Sequence, residues 1–118
     1  MNADDLYHQA RLAMEAGNLE DAISSFRQSI AEWPHFKTLE LLGECLLRLH
    51  QPREAVEPLA AATALNRQAR APVLLARAFL ELGTYGDARE QAEEALRRDP
   101  GNQEAIEVRQ AARQHIEV

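Results

Sequence analysis

Cysteine, tryptophan and lysine each occur only once in this chain, as Cys45, Trp33 and Lys37. A lone cysteine excludes a disulfide within the chain and any metal cluster built on cysteines. No apolar run approaches the ~20 residues of a membrane-spanning helix, and the first ten residues lack the basic start and apolar core of a signal peptide. We therefore expect a soluble, cytoplasmic protein that does not insert into membranes.

Basic residues are also in the minority. The chain has 13 Lys and Arg against 19 Asp and Glu, which gives a formal net charge of −6 at pH 7. Proteins that bind nucleic acids draw much of their affinity from cations that neutralise phosphates. An acidic chain without a basic stripe is therefore not expected to bind nucleic acid.

Side chains that could catalyse a reaction or hold a cofactor are not grouped in the sequence. The histidines lie in separate segments without the spacing of metal ligands, at positions 8, 35, 50 and 115. The glycines occur singly and form no phosphate-binding loop. The acidic pairs 93–94 and 104/107 are typical of solvated helix faces. Cys45 lies between Leu42 and Leu46 on an apolar stripe, which indicates a buried small side chain. The sequence predicts no enzyme, no metal and no cofactor.

What the sequence has instead is a pattern that repeats with a constant step. Asp21, Glu54 and Asp87 are equally spaced, as are the alanines directly after them. Apolar residues recur around them every three to four positions, as on one face of an α-helix. In the first unit Gly17 suits a left-handed turn, and Asn18 suits the cap of the following helix. Each period therefore predicts two helices joined by a short turn.

The units resemble tetratricopeptide repeats. The matching residues of the first unit are Ala10, Gly17, Ala22, Phe26, Ser29 and Pro34; those of the second are Gly43, Ala55, Leu59 and Ala62; those of the third are Ala76, Phe79, Gly83, Ala88, Ala95 and Pro100. The resemblance implies an all-α, right-handed solenoid in one domain, residues 1–118. We expect repeats at about 3–35, 36–68 and 69–102, and a terminal solvating helix at about 103–118.

Two features depart from the family pattern. The 33-residue step is one shorter than the family's usual step, and Pro58 lies inside the second helix of the middle unit. Because proline removes a backbone hydrogen bond, we expect a kink there. Both features leave the curvature of the solenoid open.

The first helix of each hairpin lines the concave surface in an array of this kind. The stripe opposite the core predicts the following partner-binding residues: Tyr7, Arg11, Met14, Lys37, Leu41, Glu44, Leu47, Arg70, Leu74 and Arg77. Val73 and Leu80 lie on the same stripe, which is more apolar than solvation requires and so favours an interaction site. The alternative is that neighbouring helices or the chain ends cover several of these leucines.

One ligand known in the family can be tested against the residues. Relatives that bind chaperone C-termini use a clamp of lysines, asparagines and an arginine, whose matching positions are Tyr7, Arg11, Leu41, Arg70 and Leu74. The asparagines are absent and two positions are leucine, which argues against that ligand. The arginines remain suited to an acidic side chain. Trp33, at a helix exit, is either a partner contact or part of the closing turn.

The resemblance and the stripe together predict a non-enzymatic module or adaptor that binds a peptide or helix of a partner protein in its concave groove. Two alternatives stay open. One is a self-assembling, homo-oligomeric scaffold whose groove takes a neighbour's terminal helix. The other is a small acidic chaperone of the secretion type.

Overall fold

The computed structural model describes residues 1–116, and these residues form seven α-helices and no β-strand. The helices are α1 (Ala3–Glu15), α2 (Leu19–Glu32), α3 (Phe36–Arg48), α4 (Pro52–Leu65), α5 (Arg70–Leu82), α6 (Tyr85–Arg98) and α7 (Gln103–Ile116). Neighbours in sequence pack as the hairpins α1–α2, α3–α4 and α5–α6, and α7 packs on α5 and α6. The molecule measures 50 × 25 × 21 Å. This is the all-α helical-repeat solenoid that the sequence predicts; the last two residues of the expected terminal helix lie outside the described residues.

The turn inside each hairpin uses one residue in the left-handed region of the backbone. Gly17, His50 and Gly83 have φ angles of 82°, 58° and 78°, and they follow the same constant step as the rest of the pattern. Glycine adopts this conformation without steric cost, whereas histidine does so less readily. The same backbone conformation therefore recurs at this position of every hairpin, even where the residue type changes.

The expected side-chain cap at Asn18 is wrong. Its side chain makes no capping hydrogen bond, and its ψ angle is 71°, far from the extended ψ of 175° at Asn2, whose side chain accepts from the Asp5 amide at 2.8 Å. The Asn18 amide instead donates to the carbonyl of Ala13 at 2.8 Å. The tight left-handed turn, and not the side chain, thus joins α1 to α2.

The core depends on small residues that let the helices approach closely. A methyl group added at Gly43 would lie 2.3 Å from Leu59 Cγ, and Leu59 is fully buried on α4. Phe26, Leu46 and Leu74 fill the space between the hairpins and belong to one continuous apolar cluster. Alanines are fully buried inside this cluster and elsewhere between the helices, at positions 10, 22, 55, 62, 71, 76, 78, 88, 92, 95, 105 and 112. The alanine-rich composition is therefore a packing requirement of the hairpins.

Helix α4 contains two prolines. Pro52 begins the helix, where its missing N–H leaves no intrahelical bond unmade. Pro58 lies inside the same helix, which continues to Leu65.

Candidate functional site

The first helices of the three hairpins and the start of α7 share one side of the molecule. A cavity is lined by α1 and α3, an ion pair joins Glu44 of α3 to Arg70 of α5, and a second joins Arg70 to Glu104 of α7. We call this side the groove face. It contains positions that the sequence assigns to partner binding, and it divides into two unlike halves.

The first half is an open cavity of about 490 Å³ between α1 and α3, here called the α1–α3 cavity. Met14 and Leu41, both half-buried, give it apolar walls. Its full lining is Arg11, Met14, Glu15, Lys37, Leu41, Glu44 and Arg48. The volume lies within the range typical of small-ligand pockets, so the cavity has room for one or two side chains.

Pairing among the charges leaves the α1–α3 cavity slightly basic. Arg11 lies 3.6 Å from Glu15, and Lys37 Nζ donates to the buried carboxylate of Glu40 at 3.1 Å. Glu44 is bound to Arg70, outside the cavity. Among the described residues, Arg48 is therefore the cation of the lining that has no carboxylate partner, and its side chain is exposed.

Tyr7 adjoins the cavity through Arg11. Arg11 Nη1 donates to Tyr7 Oη at 3.4 Å, and the guanidinium carbon lies 5.9 Å from the Tyr7 ring centroid. The interaction with the tyrosine raises the pKa of Arg11 above its ordinary value. The guanidinium of Arg11 is therefore held against an aromatic face, which favours its charged form.

The second half of the groove face is closed by ion pairs, here called the Arg70–Arg77 cluster. Arg70 donates to Glu44 at 2.6 Å and to Glu104 at 3.1 Å, and Arg77 donates to the other oxygen of Glu104 at 3.1 Å. Two guanidinium groups and two carboxylates thus neutralise one another across α3, α5 and α7. The side chains of Arg70 and Arg77 are each 41% exposed, so the cluster lies at the surface of the groove face.

Three apolar residues that the sequence assigns to the groove do not present a surface. Leu47, Val73 and Leu74 are buried, with exposures of 4%, 1% and 1%. Val73 packs against Ala95 and Ala105, so α6 and α7 cover it. The prediction that Leu47 and Leu74 form exposed groove is wrong, because both side chains are buried in the apolar cluster that α3 and α5 share.

A second cavity of about 490 Å³ lies where α1 begins and α2 ends, here called the Trp33 cavity. Trp33 is 64% exposed and forms one wall; Tyr7 and Lys37 border it as well. Its full lining is Asn2, Ala3, Asp4, Tyr7, Ser29, Trp33, His35, Lys37 and Thr38. Lys37 also lines the α1–α3 cavity, so the two cavities are neighbours.

The structure adds residues that the sequence reasoning misses. Glu15 and Arg48 line the α1–α3 cavity, and each follows a predicted groove residue by four positions on the same helix, a spacing that identifies them. The sequence predicts a solvated acid at Glu104, whereas this residue binds two arginines. No local spacing identifies Glu104, because its partners are 34 and 27 residues away.

Cys45 and the potential metal ligands are the remaining side chains that could catalyse a reaction or bind a metal ion. Cys45 is fully buried, and burial raises the pKa of its thiol to about 11, so the nucleophilic thiolate is scarce at neutral pH. Within residues 1–116, no three histidine, cysteine or acidic side chains are grouped as metal ligands. None of the described helices has the length and apolar character to cross a bilayer.

Two family models, both described as tetratricopeptide repeat, match residues 13–78 and 73–113. A search of curated proteins found no match. The first of these models alone matches more than half of the chain, and the second extends the match through the third hairpin into α7.

Solved structures similar to this chain are tetratricopeptide repeat (TPR) domains. The first TPR of Spaghetti (RPAP3), bound to the HSP90 peptide SRMEEVD, has a TM-score of 0.93 at 20% identity and covers 99% of this chain and 94% of its own. The Sgt2 TPR domain from Aspergillus fumigatus has a TM-score of 0.87 at 19% identity, with 98% and 79% covered. The second TPR domain of human RPAP3, in complex with the HSP70 peptide SGPTIEEVD, has a TM-score of 0.88 at 20% identity, with 94% of each chain covered.

At this level of identity the structural likeness concerns the fold. The repeat models rest on the sequence, and they agree with the hairpins, their left-handed turns and the small residues between helices. The chain belongs to the tetratricopeptide repeat family.

Proposed function

We propose that this protein is a protein-interaction module that binds a short segment of a partner in its concave groove, at the α1–α3 cavity. The observation that carries the proposal is the cavity itself: about 490 Å³, lined by the apolar side chains of Met14 and Leu41 together with five charged side chains. A partner residue that fills it would bury apolar surface, which is the main source of binding energy.

The charges of the cavity suggest the chemistry of the segment. With the other charges paired, Arg48 is the cation left to meet a ligand among the described residues. Arginine binds carboxylates with two parallel hydrogen bonds. The segment we expect therefore has an apolar side chain followed or preceded by one acidic residue.

Similar TPR domains support a peptide ligand in general. Two of them are solved with the HSP90 peptide SRMEEVD and the HSP70 peptide SGPTIEEVD. These peptides carry consecutive glutamates, whereas most cations on this chain's groove face are bound to its own carboxylates. We therefore expect a ligand of less acidic sequence than those two peptides.

Self-assembly remains a weaker alternative. The large apolar side chains exposed in the described chain, apart from Met1, lie on four different elements: Leu12 on α1, Trp33 after α2, Leu65 on α4 and Ile116 on α7. A homo-oligomer requires a continuous self-complementary patch, and this scatter does not favour one. Light scattering over a range of concentrations would detect it.

The proposal is tested by selecting peptides from a random display library with the wild-type protein, then measuring their affinity by calorimetry for two variants. Leu41→Glu places a charge in the α1–α3 cavity and should weaken binding at least about tenfold. Leu65→Glu makes the same substitution at an exposed leucine on α4 and should change affinity less than twofold. If Leu41→Glu binds as tightly as the wild type, or if no peptide is selected, the proposal is wrong.

A further inference from the structure

Glu104 joins α7 to the predicted groove residues of α5. Its two carboxylate oxygens accept from Arg70 and Arg77 at 3.1 Å each. These arginines are two helical turns apart on α5, so their side chains extend to the same side. One carboxylate therefore occupies the point at which both guanidinium groups converge.

We propose that Glu104 is a specificity-determining residue that keeps acidic side chains of partners out of the α5 half of the groove. Its carboxylate occupies the place of a ligand carboxylate, with both oxygens used. A partner's acidic residue must displace it to reach the same guanidinium groups. This inference rests on the proposed function, because it assigns the charge preference of the same groove.

The exposure of the three side chains explains why Glu104 would weaken the binding of acidic ligands without preventing it. The side chain of Glu104 is 39% exposed, and those of both arginines are 41% exposed. Ion pairs at this exposure are weak. An acidic ligand can therefore displace Glu104, but it binds less tightly than it would to arginines without a carboxylate partner. Arg70 also keeps Glu44 as a second partner, whereas Glu104 is the carboxylate bound to Arg77 among the described residues. Arg77 is thus the cation that Glu104 chiefly keeps from binding a ligand's carboxylate.

The experiment compares Glu104→Gln with the wild type, using N-acetyl-tetraglutamate amide as the probe at low ionic strength. The amide keeps the shape of the side chain but removes its charge. NMR titration of the amide and arginine side-chain signals gives the affinity. We expect Glu104→Gln to bind the probe about tenfold more tightly, the size expected when two partly exposed ion pairs no longer compete.

A matched control separates the site from overall charge. Glu57→Gln changes the net charge by the same amount at an exposed position of α4, and its affinity for the probe should rise less than twofold. Adding Arg77→Met to Glu104→Gln should abolish the gain. An equal gain in Glu57→Gln, or no gain in Glu104→Gln, would overturn the inference.

A structural side effect is excluded by the signals of α7. If Glu104→Gln merely detached α7, the amide signals of the buried Ala105, Val108 and Ala112 would shift toward unfolded positions, and that result would also overturn the inference. Failure of the inference about Glu104 can be told apart from failure of the proposed function. Display-selected peptides that bind the wild type at Leu41 leave the proposed function intact even if Glu104→Gln has no effect on the acidic probe.

Discussion

In the α1–α3 half of the groove face, charged side chains surround an open cavity with Met14 and Leu41 in its walls. In the α5–α7 half, the charged side chains are joined to one another, and the leucine of the same stripe, Leu74, is buried. The two halves are built from equivalent positions of the same repeat. Two sets of contacts make the difference: Leu74 packs into the apolar cluster that α5 shares with α3, and Glu104 of α7 binds the arginines of α5.

The comparison shows that position in a repeat array, more than residue type, decides whether a side chain is available. Leu41 and Leu74 occupy equivalent positions of successive repeats and are chemically identical, yet one is half-buried at a cavity and the other is 1% exposed. Leu74 packs inside the apolar cluster between the hairpins, whereas Leu41 only borders that cluster.

The strongest test of this contrast is truncation of the two leucines. Leu74→Ala should destabilise the protein by about 3 kcal/mol, because it leaves a cavity in the apolar cluster between the hairpins. Leu41→Ala should cost about 1 kcal/mol, since its side chain only borders that cluster. Urea unfolding followed by circular dichroism measures both values, and equal losses would contradict the assignment of the two halves.

A second substitution affects both halves by displacing the helix they share. Gly43→Ala places a methyl group 2.3 Å from Leu59 Cγ, which forces α3 away from α4 and should cost about 2 kcal/mol. Gly86→Ala is the matched control, because nothing lies within 4 Å of the added methyl and helix propensity favours alanine by up to about 1 kcal/mol. Thermal unfolding compares the two; a stable Gly43→Ala would mean that α3 and α4 are packed less tightly than described.

The ion pairs of the second half should make a smaller contribution. Arg70→Met removes the contacts to Glu44 and Glu104 and should destabilise by about 1 kcal/mol at low salt, a modest value because these side chains are partly exposed. The difference from wild type should shrink at high salt, about 1 M, where screening acts over about 3 Å. Arg53→Met, at an exposed arginine of α4, serves as the control. A loss that is independent of salt would assign Arg70 a packing role instead.

The last prediction concerns Cys45, on the buried side of α3, whose thiol makes no difference to the pH dependence of stability near neutral pH and acts only above about pH 9. Burial raises its pKa from 9.0 to about 11. Because the native state holds this proton more tightly than the unfolded state, the thiol's contribution to stability is complete below pH 9 and is lost as the pH rises toward 11. Cys45→Ala should therefore show a shallower loss of stability over that range in denaturant titrations. Identical pH profiles would show that the thiol is not protected in the fold.

Much of the fold can be predicted from the sequence because its signals are local. The constant step of the pattern predicts one turn in each unit, and the residues one step apart at these turns, Gly17, His50 and Gly83, all adopt left-handed conformations. The Asn18 cap is predicted wrongly because ψ at that residue is 71°, whereas a residue that caps a helix with its side chain has an extended backbone.

The candidate site is less predictable because it depends on contacts between distant residues. Helical periodicity separates one face of α5 from the other, but it does not reveal that α6 and α7 cover Val73. The pairing of Glu104 with Arg70 and Arg77 also depends on how α7 docks. By contrast, Leu41 and Glu44 follow from the stripe alone and do share one cavity, because they lie three residues apart on the same face of α3.

The most direct test of the account is to map a display-selected peptide on the protein by the changes it causes in backbone amide signals. We predict that the largest changes occur at Met14, Leu41 and Arg48, around the α1–α3 cavity, with little change on α4 and α6. The largest changes at Trp33, or on α2, α4 and α6, would contradict the claim that the open half of the groove face is the binding site.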